Sequence, residues 1–398
     1  MRFLKWISLA IAALVVLLLV AVLVLVWLVD PNGFKPRIEA AVKDATGRDF
    51  ALEGDIELGF FPWLALRTGR GHFGNAPGFG ADPMVRWNGA EIGAKLIPLL
   101  RGELVARRVQ LDGAEVVLVR SADGRANWQG IGGDAPPDPN AEPMSLRIDG
   151  VTLTDSRVYF VDESASRRLW VEKLNISTDT IAEGTPFTDT EVAGFLHMDG
   201  FAPAGLPFRI DVPSADVAWD LSRVSVPRFE VALDGLILEG AVDGAVADTA
   251  KFSGQVQSNE FDPRALLKAV GVDAPKTTDP KALGRVKLTA DWKLASGALA
   301  VDSLVLDLDD THLSGSAALG ADGAGEFSLT GNRLDLARYL PPPDPDSEPF
   351  KLPTAMLKGL KIRGAIELDE ATLDDTVLKG VTLRLVMDEQ GLHQEPAK

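Results

Sequence analysis

The sequence contains no cysteine among its 398 residues. Disulfide bonds, thiolate catalysis and cysteine-ligated metal centres are therefore excluded. The absence does not identify a compartment, because cysteine-free chains suit reducing and oxidising spaces alike.

Histidine is also scarce, with four residues that are scattered singly: His72, His197, His312 and His393. The chain has no H-E-x-x-H, G-x-S-x-G or Walker pattern. Carboxylates are abundant, but no acid–base pair can be selected among them without geometry. We therefore predict no catalytic, metal-binding or cofactor-binding residues, no cofactor, and a protein that is not an enzyme.

Positive charge is in deficit as well. The formal net charge is −17 and the isoelectric point is about 4.7. No lysine or arginine cluster forms a basic patch that would attract polyphosphate. Nucleic acid is therefore not an expected partner.

Long apolar runs are missing except at the amino terminus. Residues 7–29 carry no charge and a single polar side chain, Ser8, and as a helix they would extend roughly 34 Å, enough for a bilayer core of about 30 Å. Trp6 and Trp27 stand at the two ends, where indole rings prefer the headgroup level. A cleaved signal peptide is the alternative, although its apolar region is usually shorter and ends in a small-residue site. We predict an uncleaved single-pass anchor over 6–29, a cytoplasmic stub of residues 1–5, and the bulk of the chain outside the cytoplasm.

After this run the hydrophobic period changes twice. Residues 34–46 place Phe34, Ile38 and Val42 at helical spacing, and Gly47 stands where a helix-ending glycine belongs. Beyond them apolar and polar residues alternate in short runs, which predicts a mainly β fold whose strands each have one apolar face. Three runs supply the candidate residues of a shared apolar surface: Phe229, Val231, Leu233, Leu304, Leu306, Leu308, Val381, Leu383 and Leu385.

Turn signals and proline-rich breaks organise the alternating region. Aspartate–glycine pairs predict tight turns at residues 112–113, 149–150, 234–235, 243–244 and 322–323. Proline-rich segments predict linkers at 131–143 and 341–349, with a further break at 271–280. Residues 259–267 resemble residues 332–340, which lie 73 positions later, so a unit of several strands and a helical turn is used at least twice. We predict an antiparallel meander over 30–130, β repeats over 144–340 and a partial further repeat over 350–398.

One glycine pattern imitates a dinucleotide-binding loop. Gly69, Gly71 and Gly74 match G-x-G-x-x-G, and Glu91 lies twenty positions after Gly71. Such a loop requires a helix that starts at the last glycine, so that its amide groups face the phosphates. Residues 75–83 contain two prolines and two further glycines, which prevents a helix there. We therefore interpret the pattern as turns.

Several motifs together resemble the amino-terminal region of the AsmA family of Gram-negative bacteria. They are Asp30-Pro31-Asn32, Thr46-Gly47-Arg48, Phe61-Pro62-Trp63, Gly74-Asn75-Ala76, Pro98-Leu99-Leu100-Arg101-Gly102 and Asp123-Gly124-x-x-Asn127-Trp128. The resemblance continues more weakly through residues 261–267 and 357–392. It implies an inner-membrane anchor, a cytoplasmic amino terminus, and a periplasmic domain shaped as an elongated, curved antiparallel β-groove of the type found in TamB and YhdP. The region 350–398 resembles a truncated member of the family.

The resemblance also implies a role in outer-membrane biogenesis. Our first hypothesis is that the chain binds and conducts phospholipid along an apolar groove lined by the nine candidate residues. The alternative is a non-conducting scaffold or regulator of outer-membrane protein assembly, in which the same apolar faces pack on each other as a closed core. A third hypothesis, an enzyme, depends on the glycine pattern. Expected partners are the inner membrane, phospholipid and other envelope proteins.

Overall fold

The computed structural model describes residues 31–59, 64–94, 105–131, 147–182, 184–218, 221–246, 249–342, 361–373, 376–388 and 391–394. No helix within these ranges is long and apolar enough to cross a membrane. The predicted anchor over 6–29, with Trp6 and Trp27, lies outside the described residues. The chain forms two compact units, one of Met1–Ile148 and Thr152–Ser166 and one of Asp149–Val151 and Arg167–Lys398. Strands dominate both, as the alternating sequence predicted.

The first unit begins with one 3-10 turn, Pro31–Phe34, and helix α1, Lys35–Thr46. Gly47 ends α1 with a φ of 69°, and its N–H donates to the carbonyl of Lys43 at 2.7 Å. Glycine adopts a positive φ readily because it has no Cβ. The predicted helix and its glycine cap are confirmed.

Ten strands follow in the described part of this unit. They are β1 (Phe50–Leu52), β2 (Ile56–Gly59), β3 (Leu64–Thr68), β4 (Gly71–Phe73), β5 (Val85–Trp87), β6 (Gly89–Ala94), β7 (Val105–Asp112), β8 (Glu115–Arg120), β9 (Arg147–Ile148) and β10 (Val151–Asp162). One ladder runs β1-β4-β5-β8-β10, and a second runs β2-β3-β6-β7, with β10 also pairing with β7. Both ladders contribute to one core around Leu52, Ile56 and Trp87.

The second unit is a meander. Its strands are β11 (Arg167–Thr178), β12 (Ile181–Ala182), β13 (Phe187–Met198), β14 (Phe201–Val217), β15 (Val224–Leu233), β16 (Leu236–Val246), β17 (Ala250–Ser258), β18 (Val286–Ala295), β19 (Ala298–Leu308), β20 (Thr311–Leu319), β21 (Ala324–Asp335), β22 (Lys361–Leu373), β23 (Thr376–Asp388) and β24 (Gly391–Gln394). β11 pairs with β13, and from β13 onward each strand pairs with its successor.

Two short helices interrupt this meander at equivalent places, after β17 and after β21. They are α2 (Pro263–Ala269) and α3 (Leu336–Tyr339). The carboxylates of Asp262 and Asp335 accept backbone N–H groups from the first turn of each helix, so each aspartate caps its helix. Asn259 and Asn332 lie three residues before these aspartates. The side chain of each accepts a backbone N–H from a neighbouring strand, β16 for Asn259 and β20 for Asn332. The predicted repeat is confirmed at these two turns.

The prediction of antiparallel pairing is wrong for three ladders. β8–β10, β7–β9 and β21–β22 are parallel. A parallel pair needs a long connection that returns the chain along the sheet, which a tight turn cannot supply. The two strands of each pair are separated in sequence by the proline-rich segment 131–143 or 341–349. Parallel pairing therefore occurs where the series of tight turns is interrupted.

One predicted turn is also wrong. Asp243 and Gly244 lie inside β16 rather than in a loop. Gly244 is opposite Phe252 of β17, and a Cβ at Gly244 would lie 2.5 Å from the Phe252 ring. This glycine therefore makes room for an aromatic ring. By contrast, Gly235 and Gly323 do form hairpin turns, with φ values of 92° and 79°.

Candidate functional site

The second unit presents an apolar face that is continuous across its strands. Residues directly opposite each other on paired strands point to the same side of a sheet. The register therefore links residues of successive strands into rows that run perpendicular to the strands. The row through the centre, called here the middle row, contains Phe229, Gly240, Val256, Ala290, Leu304, Gly315, Leu329, Ile366 and Leu383. It crosses the nine strands β15 to β23, or about 38 Å at about 4.8 Å per strand.

A second row lies two residues along each strand, towards α2 and α3. This inner row contains Ile210, Val231, Leu238, Ser258, Leu288, Leu306, Leu313, Gly331, Leu368 and Val381. The row passes from β17 to β18 at Ser258 and Leu288, where the N–H of Leu288 donates to Ser258 Oγ at 2.8 Å. Apart from Ser258, the row is apolar or glycine throughout.

All nine candidate residues lie on this face, and the register brings them into order. Phe229, Leu304 and Leu383 share the middle row, and Val231, Leu306 and Val381 share the inner row. The remaining three lie at the margins: Leu233 and Leu308 at the strand ends beside the inner row, and Leu385 on the far side of the middle row. The alternation read from the sequence thus located the face. Whether these side chains line a lipid site stays a prediction.

These nine side chains are neither sealed nor fully exposed, since all are half-buried. Within the middle row only Ala290 and Leu329 are buried. Leucine, isoleucine, valine and phenylalanine are usually fully buried when a second layer packs on them. The face therefore retains apolar surface that other molecules can contact.

Protein does cover one end of the face. Leu336 of α3 packs with the buried inner-row residues Leu313 and Leu368. Val270, which ends α2, packs with Leu206 and Leu233. Residues of the two helices of the repeat thus pack against part of the inner row and the adjoining strand ends.

A half-buried carboxylate fixes α3 in this position. Asp309, in the turn between β19 and β20, accepts the N–H groups of Leu283, Gly284 and Arg285 at 2.8, 3.0 and 3.1 Å, and the hydroxyl of Tyr339 at 2.8 Å. Burial acts to raise the pKa of Asp309, but these hydrogen bonds outweigh it and hold the pKa below its usual value of 3.8. Burial, and then the bond to Asp309, raise the pKa of Tyr339 well above its usual value of 10.0. The turn, the segment before β18 and α3 are thereby tied together.

The opposite face of the same strands is polar. Lys293 Nζ lies 2.6 Å from Asp302, and Arg209 lies 3.1 Å from Glu191. These side chains are largely exposed, so such pairs contribute little to stability. The sheet therefore presents one wet face and one apolar face, as the alternation predicted.

In the first unit, three of the quoted sequence motifs meet around a buried arginine. Arg48 is 4 % exposed and donates to the carbonyls of Asn127 and Gln129, both at 2.7 Å. Asn127 is fully buried; its amide donates to the carbonyl of Val117 at 2.8 Å and to Asn75 Oδ1 at 3.1 Å. Loss of hydration lowers the pKa of Arg48. The cluster locks the loop after β8 onto the end of α1.

Sequence reasoning quoted these residues as a family signature without seeing that they converge. Thr46-Gly47-Arg48 and Asp123-Gly124-x-x-Asn127 lie far apart in the chain. The available signal was an isolated polar residue beside a glycine turn in each motif. That signal marks a buried hydrogen-bonding group, but it does not identify the group's partner.

The glycine pattern serves strand packing. No helix begins after Gly74, as predicted, but the predicted turns are wrong at Gly71, which lies within a strand. Gly71 lies in β4 opposite Trp87, and a Cβ there would lie 2.3 Å from the indole ring. Gly74 follows β4, and its N–H donates to the carbonyl of Asp49 at 2.6 Å. Glu91 pairs with Arg67 at 2.7 Å. These residues are engaged with the protein itself.

Three of the histidines have local partners in the structure. His72 lies 2.9 Å from Glu53, and His312 lies 2.6 Å from Asp307. His197 stacks on Trp170 with ring centroids 5.0 Å apart. Across the described ranges, no group of three or more histidine or acidic side chains is placed to hold a metal ion.

Fold and surface together define a class: a protein built from a wide meandering sheet with one half-exposed apolar face and short helices along one margin. A model of the AsmA family matches residues 1–204, just over half of the chain. The chain belongs to the AsmA family.

Two relatives from Escherichia coli (strain K12) are similar over most of the chain. The AsmA family protein YhjG is 26% identical over 334 residues, which cover 73% of this chain and 46% of YhjG. Protein AsmA is 32% identical over 325 residues, which cover 79% of this chain and 44% of AsmA. The matched region thus spans less than half the length of either relative. No solved structure matches the chain.

Proposed function

We propose that this chain is an envelope protein that binds phospholipid acyl chains on the apolar face of the second unit and conducts them along its rows. The observation that carries the proposal is the register itself. It aligns apolar side chains and glycines into rows across nine strands, with the candidate residues left half-buried. In this role the rows act as an elongated groove whose missing second layer is supplied by lipid.

The energetics suit a sliding ligand. Each methylene group that leaves water for an apolar surface contributes about 0.8 kcal/mol. Successive positions along a row offer similar side chains, such as Leu304, Leu329 and Leu383 in the middle row. An acyl chain therefore moves from strand to strand without losing a specific bond, and without an energy well deep enough to trap it.

Family membership supports the cellular setting of the proposal. We place the chain in the inner membrane through the anchor predicted over 6–29, with its amino terminus in the cytoplasm and its sheet in the periplasm. Phospholipid leaving the inner membrane is then the first ligand within reach. Outer-membrane biogenesis is the process served.

The scaffold alternative makes a different physical demand. A scaffold that acts only through protein contacts has no need for an accessible apolar face, and its strands would be sealed against another layer. A single charge on the face therefore separates the two functions. In a lipid-binding surface the charge repels acyl chains but remains hydrated, whereas in a closed core it prevents folding.

We suggest Val256→Glu as the test and Thr289→Glu as its control. Val256 is half-buried in the middle row, and Thr289 is exposed on the opposite face of the neighbouring strand. The full chain is purified from membranes in mild detergent, and bound phospholipid is extracted and quantified. We expect Val256→Glu to lose most of the bound phospholipid while its melting temperature stays close to wild type, and Thr289→Glu to retain it.

Two results would count against the proposal. One is a wild-type chain that carries no phospholipid above the level of the detergent blank. The other is a Val256→Glu chain that fails to fold, because the face would then be an interior surface.

A further inference from the structure

Five aromatic rings of the second unit lie over glycines of the neighbouring strand, all on the apolar face. The pairs are Phe208 with Gly194, Phe229 with Gly240, Phe252 with Gly244, Trp292 with Gly254, and Phe327 with Gly364. A Cβ at these glycines would lie between 2.5 and 3.3 Å from the ring opposite. Real Cβ atoms do not come within 3.0 Å of another atom, which applies at Gly240, Gly244 and Gly364. At Gly194 and Gly254 the contact would be tighter than most real Cβ contacts, so glycine makes room for the ring opposite at all five positions.

Three of the five pairs fall in two rows beyond the middle row, on the side away from α2 and α3. The first of these outer rows contains Val226, Val242, Gly254, Trp292, Val301, Ala317, Phe327, Gly364 and Leu385. The second contains Val224, Gly244, Phe252, Leu294, Leu299, Leu319, Gly325 and Ile362.

Burial falls steadily across the face. The inner row has Ser258, Leu313 and Leu368 buried, and the middle row has Ala290 and Leu329 buried. Every residue named in the two outer rows is half-buried. Among the described residues, the buried positions of this face therefore lie in the inner and middle rows, and the two outer rows contain none.

A shallow apolar depression of about 250 Å³ lies within these outer rows. Six of its lining residues belong to them: Leu299, Val301, Ala317, Leu319, Phe327 and Ile362. Phe327 lies over Gly364, and Leu299, Leu319 and Ile362 line the depression beside it. The depression continues across four neighbouring strands, β19 to β22, in the direction of the rows.

We infer that the two outer rows are the acyl-chain track of this protein, and that the aromatic–glycine pairs set its depth. The inference rests on the proposed function and specifies where on the face the lipid lies. It identifies Val301, Ala317 and Phe327 as lining residues that the alternation pattern did not single out, whereas Leu385 alone among the nine candidate residues lies in these two rows. The occupant is a single extended hydrocarbon chain, because the depression is apolar, shallow and continuous along one direction.

Photo-crosslinking tests the location. Benzoylphenylalanine is placed singly at Val301 and Leu319 in the outer rows, at Leu306 in the inner row, and at Ser316 on the opposite face. The full chain is irradiated in vesicles of phosphatidylethanolamine and phosphatidylglycerol, and attached phospholipid is detected by mass. We expect labelling at Val301 and Leu319, much weaker labelling at Leu306, and background at Ser316.

The outcomes separate the two proposals. Labelling at Leu306 equal to or above that at Val301 overturns the outer track but leaves lipid binding intact. Absence of labelling at all apolar positions overturns lipid binding itself. Cross-links to protein instead of lipid at Val301 and Leu319 show that another polypeptide covers the rows, which also overturns the track.

A filled depression provides an independent test. Ala317→Trp places a large ring in the track, whereas Ser316→Trp places the same ring on the polar face of the same strand, where Ser316 is exposed. Each methylene group displaced from the apolar surface weakens binding about fourfold. We therefore expect Ala317→Trp to reduce labelling at Val301 at least about tenfold, and Ser316→Trp to leave it unchanged. Equal labelling in a folded Ala317→Trp chain overturns the inference; Ala317→Leu replaces it should the larger side chain prevent folding.

Discussion

Two leucines on the same face should respond very differently to truncation. Leu368 of the inner row is 2 % exposed and packs with Leu313, Leu329 and Ala371. Leu385 lies on the next strand in the first outer row and is half-buried. Replacing a buried leucine by alanine removes transfer free energy and leaves a cavity, at a cost of about 3 to 4 kcal/mol. Replacing a half-buried one leaves no enclosed cavity, and the cost falls to about 1 kcal/mol.

Urea unfolding of the full chain in detergent measures this contrast. Leu368→Ala should lower the free energy of unfolding by roughly three times as much as Leu385→Ala, with the same dependence on denaturant in both. The control is the wild-type chain in the same detergent. Equal losses would refute the reasoning, because they would mean that the first outer row is packed under protein as completely as the inner row.

Three further predictions concern single sites. Asp309→Asn should cost about 2 kcal/mol at neutral pH. Because the folded pKa of Asp309 lies below its usual value of 3.8, the difference from wild type in thermal melts should be fully present well above that pH and should shrink as the pH falls below it; a constant difference would contradict the assignment. Arg48→Lys should lose one of its two carbonyl bonds and about 2 kcal/mol, seen as a lower melting temperature and faster proteolysis of the loop after β8; unchanged proteolysis would argue against the lock. Gly71→Ala should cost at least about 2 kcal/mol through its clash with Trp87, whereas Gly89→Ala, with its nearest contact at 3.7 Å, should cost less than about 1 kcal/mol by the same melts; similar losses would remove the packing explanation.

The alternation of apolar and polar residues was sufficient to predict the faces of the sheet. Phe229, Leu304 and Leu383 were selected from three separate runs, and they share one row because a hydrogen-bonded sheet keeps opposite residues on one side. The helix over residues 34–46, its cap at Gly47 and the repeated helical turns within 259–267 and 332–340 could likewise be predicted, since each depends on local chemistry.

Position within the face could not be predicted, because it depends on register. A bulge between Val226 and Phe229 and another between Val301 and Leu304 each shift the pairing. The second shift decides that Leu385 shares a row with Val301 rather than with Asp302. The alternation of apolar and polar residues shows which face of the sheet a residue lies on, but it does not show how paired strands are aligned.

Contacts between residues that lie far apart in the sequence could not be predicted either. The Arg48 side chain finds its carbonyl partners 79 and 81 residues away, and the parallel pairing of β21 with β22 depends on the path of the chain around a proline-rich break. Neither follows from composition or periodicity, since both are set by the assembled fold.

The pairing of rings with glycines has a consequence for how such proteins change size. Each ring packs against the adjacent strand of its own sheet and not against a facing layer. A change in the number of strands therefore requires no matching change in a second layer. Inserting or deleting one hairpin therefore lengthens or shortens the sheet while its cross-section stays the same. The number of strands can therefore change during evolution without a change in the length or packing of each strand.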